Sequence, residues 1–161
     1  MLTPSVGPDQ MEAVDPSTSR RMARTRQRDN ARELALRSEL HRRGLRYRVH
    51  QRLLEGSRRT ADIAFPRRRI AVFLDGCFWH GCPVHGTKPR NNAAWWREKI
   101  DANVARDRDT DARLAAAGWL VVRVWEHDDL GDAADRIEQV VRATSTPQHL
   151  ATIRPDTGQA T

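Results

Sequence analysis

The chain has 161 residues and a formal net charge of +7, and all of its basic residues except Lys88 and Lys99 are arginine. That length suits one domain with a real core, and no apolar run approaches the roughly 18 residues that a membrane span requires. No signal-peptide core precedes the domain, and only two cysteines occur, beside histidines, which favours a metal in a reducing compartment over a disulfide. Basicity combined with five tryptophans points to a nucleic-acid partner, although an Arg-rich surface can also be purely compositional.

Residues 1–18 mix Pro, Gly, Ser and acids with few bulky apolar groups and read as a disordered tail. Residues 19–29 form a basic arm with Arg20, Arg21 and Arg24 around Met22. Such an arm can track phosphates and push Met22 between base pairs, or simply be solvated. Asn30 to Arg43 reads as a helix stopped by Gly44. Leu36 and Leu40 set its inward face, and Glu33 shares that face. Asn30-x-x-Glu33 also fits a capping box, which would account for Glu33 locally.

Leu45 to His50 alternates as a strand does, with a turn around Gly56. Thr60 to Phe65 is a second strand, and Pro66 to Arg69 turns the chain into a third, Ile70 to Leu74. Asp62 lies inside the middle strand, where a carboxylate is unfavourable and costly if buried alone. A bound cation would offset that cost; an exposed edge position is the simpler account. After the loop 75–85, Lys88, Arg90, Asn91 and Asn92 lead into a helix from Ala93 to Ala117, ended by Gly118. Its inward stripe is Trp96, Ile100, Asn103, Val104, Asp107, Asp111 and Leu114. Asp107 is thus a second inward acid, though Arg106, Arg108 and Arg113 could pair with it. Trp119 to Glu126 reads as a buried strand ending at His127, and Asp132 to Ala143 as a final helix. Residues 144–161 are Ser/Thr/Pro-rich and read as a second disordered tail. The order of elements gives an α/β fold over residues 19–143, a mixed central sheet flanked by helices.

The loop Asp75-Gly76-Cys77-Phe78-Trp79-His80-Gly81-Cys82-Pro83-Val84-His85 concentrates the chemistry. Cys77, Cys82, His85 and the distant His127 offer two thiolates and two imidazoles, a set that suits tetrahedral zinc in a closed structural site. His80 competes for membership, so one histidine must be free. Carboxylates gathered at a sheet are hard ligands for magnesium, which can neutralise charge on a phosphodiester transition state while an imidazole moves a proton. Spacing alone does not group the acids with His80. Phe78, Trp79 and Trp96 beside basic residues can stack on bases or wedge a duplex open. Core packing is the plainer reading of any single Trp, but adjacent Phe78 and Trp79 cannot both face one core from an extended loop.

Asp-Gly-Cys-Phe-Trp-His-Gly-Cys-Pro-x-His at 75–85, Asn103-Val104-x-Arg106-Asp107, Gly118-Trp119 and Val124-Trp125-Glu126-His127 together resemble the very short patch repair endonucleases, bacterial enzymes that nick DNA at T·G mismatches. The resemblance covers roughly Ser19 to Val141. It implies a restriction-endonuclease-like fold with a structural zinc and a magnesium-dependent cut 5′ of the mispaired thymine. It implies that Asp62 and the Leu74 main-chain carbonyl bind magnesium, that Glu33 holds metal-bound waters, and that His80 is the catalytic imidazole with Asp107 as its carboxylate partner. Cys77, Cys82, His85 and His127 match the zinc positions. Phe78, Trp79 and Trp96 match the aromatic wedge, and Met22 the residue that enters from the minor groove, with Arg20, Arg21, Arg24 and Lys88 on the DNA backbone. Asp75 is expected to support the metal shell or hold the loop. The implied setting is the bacterial cytoplasm, with mismatched duplex DNA and other mismatch-repair proteins as partners, no membrane, and a monomer. A less selective restriction-fold nuclease and a zinc-stapled DNA-binding module without catalysis are the alternatives.

Overall fold

The computed structural model describes residues 30–86, 90 and 92–144. The basic arm with Arg20, Arg21, Met22 and Arg24, the two tails 1–18 and 145–161, and Lys88 lie outside the described residues. Helix α1 spans Ala31–Arg42, followed by strands β1 (Arg48–Arg52), β2 (Thr60–Phe65) and β3 (Ile70–Asp75), helix α2 (Ala93–Ala116), strand β4 (Leu120–Trp125) and helix α3 (Leu130–Ala143). The expected order of elements is observed. The first strand starts later than its alternation suggested, at Arg48, and the last helix begins earlier, because Asp129 caps it by accepting from the amides of Gly131 and Asp132.

Local chemistry explains the boundaries. The Asn30 side chain accepts from the Glu33 amide at 2.8 Å and starts α1. Gly44 and Gly118 adopt left-handed backbone just after α1 and α2, where a side chain would be strained. Arg69 also takes the left-handed conformation, closing the one-turn 3₁₀ segment Pro66–Arg68 that reverses the chain into β3.

The sheet order is β1-β2-β3-β4. The first two pairings are antiparallel and β3 pairs with β4 in parallel, because the long α2 crossover returns the chain in the same direction. Helices α1 and α3 cover one face through Leu36, Leu40, Ala134 and Ile137, packed on Ile63, Ile70 and Val72. Helix α2 covers the other face through Leu114, with Ala61, Ala71 and Phe73. Truncating a fully buried Leu such as Leu36 or Leu40 to Ala would cost about 2–5 kcal/mol. The strand expected to be buried, β4, is an edge strand among the described residues. Its burial alternates, and Leu120 is 48% exposed, since no further strand covers its outer side. No helix among the described residues is long and apolar enough to cross a membrane.

Candidate active site and metal centre

The β2–β3 ladder pairs Phe65 with Ile70, Ala64 with Ala71 and Ile63 with Val72. Beyond that rung a side chain replaces the backbone acceptor: the Leu74 amide donates to Asp62 Oδ2 at 2.8 Å. Ile63 and Phe65 pack in the α1/α3 core while Ala61 packs under α2, so strict alternation breaks at Asp62. The neighbouring strand is distorted at the same rung. His50 lies between Val49 and Gln51, which pair with Ile63 and Ala61, and it has a φ of +49°, a conformation costing an L-residue about 1–2 kcal/mol. The two distortions bring His50 and Asp62 together with Glu33 of α1, with ligand atoms all within 4.8 Å of one another.

Glu33 is only 4% exposed. Arg37, one turn later on α1, donates to its carboxylate and lies 2.9 Å from His50 Nε2. A guanidinium only donates, so this ring nitrogen accepts. Burial pushes the Asp62 carboxyl up to about 6; the Leu74 amide opposes the rise, and the charges of Glu33 and Asp75 add to it. Two carboxylates and an imidazole, one of the acids held partly protonated by desolvation, form a donor set that a hard divalent cation would complete.

A second group forms where β3 ends against α2. His80 Nδ1 lies 2.5 Å from Asp107 Oδ2 and 3.6 Å from Asp75 Oδ1. Burial lowers the imidazole's proton affinity, but the two carboxylates outweigh it and the net shift is upward. Asp75 is buried, and desolvation raises its carboxyl pKa despite two hydrogen bonds from Arg123. The two groups meet along β3: Leu74 binds Asp62 through its amide, and the next residue joins His80.

The third group lies in the loop itself. Cys77, Cys82, His85 and His127 have ligand atoms within 4.8 Å of one another. His127 Nδ1 is 3.1 Å from Cys77 Sγ and 3.6 Å from Cys82 Sγ, and Asp128 Oδ1 lies 3.7 Å from the other ring nitrogen, the kind of carboxylate that orients a ligating imidazole. Desolvation raises the Cys82 thiol pKa, but the amides of His85 and Val84 and the neighbouring Cys77 outweigh it and hold the thiol below its ordinary range. Burial, then the adjacent Cys82, push Cys77 up. The donor set fits zinc, and the loop is closed around it: the Cys77 amide donates to Glu126 Oε2, and the Glu126 amide to the Asp75 carbonyl. Gly81 has a φ of +63°, and a Cβ there would meet Ile100 and Val104 at 3.3 Å, so a side chain at this position would strain the backbone and crowd the contact with α2. Asn103 donates to the Trp79 carbonyl at 3.1 Å across the same contact.

Because the loop is a series of tight turns rather than an extended segment, Phe78 and Trp79 do share one cluster, contrary to the expectation. Both rings pack edge-on against Trp96, at centroid distances of 5.3 and 5.9 Å. Trp96 is 6% exposed, whereas its neighbour Trp95 is 43% exposed, with the Lys99 amine 5.4 Å from its ring centroid. A cleft of about 600 Å³ opens beside this cluster. It is lined by Trp79, His80, Asp107, Arg106 and, from α1, Arg32. Neither Glu33 nor Asp62 lines it.

Among the sequence candidates, Glu33 and Asp62 thus meet in one group and His80 and Asp107 in another, rather than all four in a single constellation, and His80 is apart from the cysteines. Sequence reasoning missed His50 as a partner of Asp62, Arg123 altogether, and the contact of Asp75 with His80. The only local signal was a charged residue, Arg123, inside a strand read as buried.

A family model described as "DNA mismatch endonuclease Vsr" matches residues 11–85. The chain is 48% identical over 134 residues to the type II nicking enzyme V.NaeI of Lentzea aerocolonigenes, covering 82% of this chain and 77% of the relative. It is 43% identical over 124 residues to the type II nicking enzyme V.XorIIP of Xanthomonas oryzae pv. oryzae, covering 74% of this chain and 88% of the relative. It is 38% identical over 109 residues to the DNA mismatch endonuclease Vsr of Escherichia coli K12, covering 67% and 68%.

Proposed function

The chain belongs to the Vsr family of DNA endonucleases, and we propose that it nicks one strand of duplex DNA 5′ of the thymine in a T·G mispair, starting repair of deaminated 5-methylcytosine. The reading assigns a single restriction-endonuclease-like domain over residues 19–143, acting as a monomer in the bacterial cytoplasm. What carries it is the junction at the end of β3, where the Glu33–His50–Asp62 group and the His80–Asp107 pair adjoin through Leu74 and Asp75, next to an arginine-bordered cleft and an aromatic cluster.

In this mechanism Asp62, the Leu74 carbonyl and, through water, Glu33 would hold magnesium. When bound, the ion supplies charge neutralisation at the phosphate and acidifies a water. His80 moves the proton, and Asp107 accepts from its Nδ1, so that Nε2 serves the cleft. Cys77, Cys82, His85 and His127 would hold a structural zinc, which would fix the loop. Phe78 and Trp79, backed by the buried Trp96, enter the duplex at the mispair, where lost stacking costs least, and Met22 enters from the opposite groove. Arg20, Arg21, Arg24 and Lys88 contact phosphates.

The test is nicking of duplexes with each strand end-labelled in turn, carrying T·G or C·G in a panel of flanking contexts, with magnesium or EDTA. The expected result is a magnesium-dependent cut 5′ of the mispaired T and none in the matched duplex. Equal cutting of matched duplex would replace the proposal with a less selective nuclease. Binding without a cut would point to a DNA-binding module, a reading that family membership disfavours.

A further inference from the structure

Arg123, near the middle of β4, joins more of the site than any candidate residue. Its Nη1 donates to both oxygens of Asp75, at 2.7 and 2.8 Å. Its Nε and Nη2 donate to Asp111 at 3.0 and 2.8 Å. Nη2 also reaches the Asp107 main-chain carbonyl at 3.4 Å and lies 3.6 Å from Asp107 Oδ1. The guanidinium rests over the Phe73 ring, 4.9 Å from its centroid. His80 lies between two of these acids, 2.5 Å from Asp107 and 3.6 Å from Asp75. His80, Asp107, Arg123 and Asp75 therefore close a ring.

The ring matters because a neutral imidazole has one N–H to give, and both carboxylates face the same nitrogen. Asp75 is 4% exposed, so little water reaches it to satisfy its charge. With no cation against it, Asp75 would compete with Asp107 for the Nδ1 proton or draw the ring toward itself. Nη1 of Arg123 engages both oxygens of Asp75, while Nε and Nη2 grip Asp111 and Nη2 reaches Asp107 on α2.

We propose that Arg123 is a positioning residue for the nicking reaction: by engaging both oxygens of Asp75 it leaves Asp107 as the acceptor of the His80 Nδ1 proton, and so fixes the orientation in which the ring presents Nε2 to the cleft. The role rests on the reading of His80 as the group that moves a proton. Arg123 itself touches no reacting atom.

Two readouts test this. In long-range ¹H–¹⁵N spectra, with the His80 signal identified by its loss in His80→Gln, the neutral imidazole of the native protein is expected to carry its proton on Nδ1. Arg123→Gln is expected to shift that ring signal, and Asp75→Asn/Arg123→Gln to return it. An unchanged His80 signal in Arg123→Gln would overturn the proposal whether or not the protein cuts a mismatch, whereas a native protein that nicks no mismatched duplex defeats the functional reading instead. In nicking under saturating duplex, Arg123→Gln is expected to be slower by about 100-fold, within the range for mispositioned acid–base groups, with duplex affinity within about twofold. Removing the competing charge as well, in the double variant, should recover about tenfold of that loss. A double variant no faster than Arg123→Gln, or a rate that falls only in step with affinity, would assign Arg123 a purely structural role. Arg123→Lys keeps the charge but cannot fork to both partners, so it should remain slow; if Arg123→Gln does not fold, Arg123→Lys and its Asp75→Asn double carry the same comparison.

Discussion

The loop between β3 and α2 feeds two clusters that are built in opposite ways. The Cys77–Cys82–His85–His127 group takes three of its four residues from nine consecutive positions, and its donors are soft or borderline. The acid–imidazole groups are gathered from α1, β1, β2, β3, α2 and the loop, and depend on the pairing of strands distant in sequence. One loop contributes to both: its cysteines and His85 face His127, while His80, between the cysteines, turns toward α2. A staple of this kind sets where the loop lies, whereas the gathered groups set what happens there. Damage to the two should therefore separate in experiment.

Asp62→Asn should have the largest effect on chemistry and the least on the loop. Nicking falls below detection, while duplex affinity and tryptophan fluorescence stay native; retained nicking would remove Asp62 from the mechanism. His80→Gln should slow nicking by about 10²–10⁴-fold without loss of bound zinc, and zinc loss in that variant would mean that His80 belongs to the staple. Cys77→Ser should do the reverse, lowering the zinc content and altering the fluorescence of the Trp79–Trp96 cluster, with nicking reduced as a consequence. A native spectrum in that variant would break the distinction.

A smaller effect comes from pH. The Asp62 carboxyl is held at about 6 in the folded chain against 3.8 in the open chain, so the fold binds this proton more tightly. Its contribution to stability is complete below about 3.8 and is lost as pH rises through about 6. In cation-free protein the loss is at most about 3 kcal/mol, at 1.36 kcal/mol per unit. In cation-free buffer, urea midpoints at pH 5 and pH 8 should move closer together in Asp62→Asn. An Asp62→Asn protein with the native pH dependence of stability would contradict the burial argument. The smallest expected effect is that of Trp79→Ala, which should reduce discrimination between mismatched and matched duplex by about 1–3 kcal/mol, measured by competition binding.

How far the sequence could be read follows the same division. Locally encoded features were legible: the Asn30 cap, the Gly44 and Gly118 stops, strand 60–65, and the four-ligand loop with His127 at the end of a strand. The edge position of β4 was not, since apolar, β-branched residues look alike at an edge and at the centre of a sheet. The partnership of His50 with Asp62 was hidden because it depends on strand register across a turn of irregular length and on a left-handed residue that is not glycine. Asp75 stood out only as a loop residue, because its partner, Arg123, lies 48 positions away on a parallel strand. The grouping of Glu33, Asp62, His80 and Asp107 came from the resemblance, and the geometry divides that set at Leu74 and Asp75.

The central claim is that the loop staple and the catalytic cation are separate sites. Its most direct test is to treat purified protein with EDTA, count retained zinc by atomic absorption, and assay nicking of T·G duplex before and after adding magnesium. About one zinc per chain should survive while nicking disappears, and magnesium alone should restore it. Nicking that persists in EDTA, or that is lost with the zinc and returns only when zinc is restored, would show that the two sites are not separate in the way the geometry of the two clusters indicates.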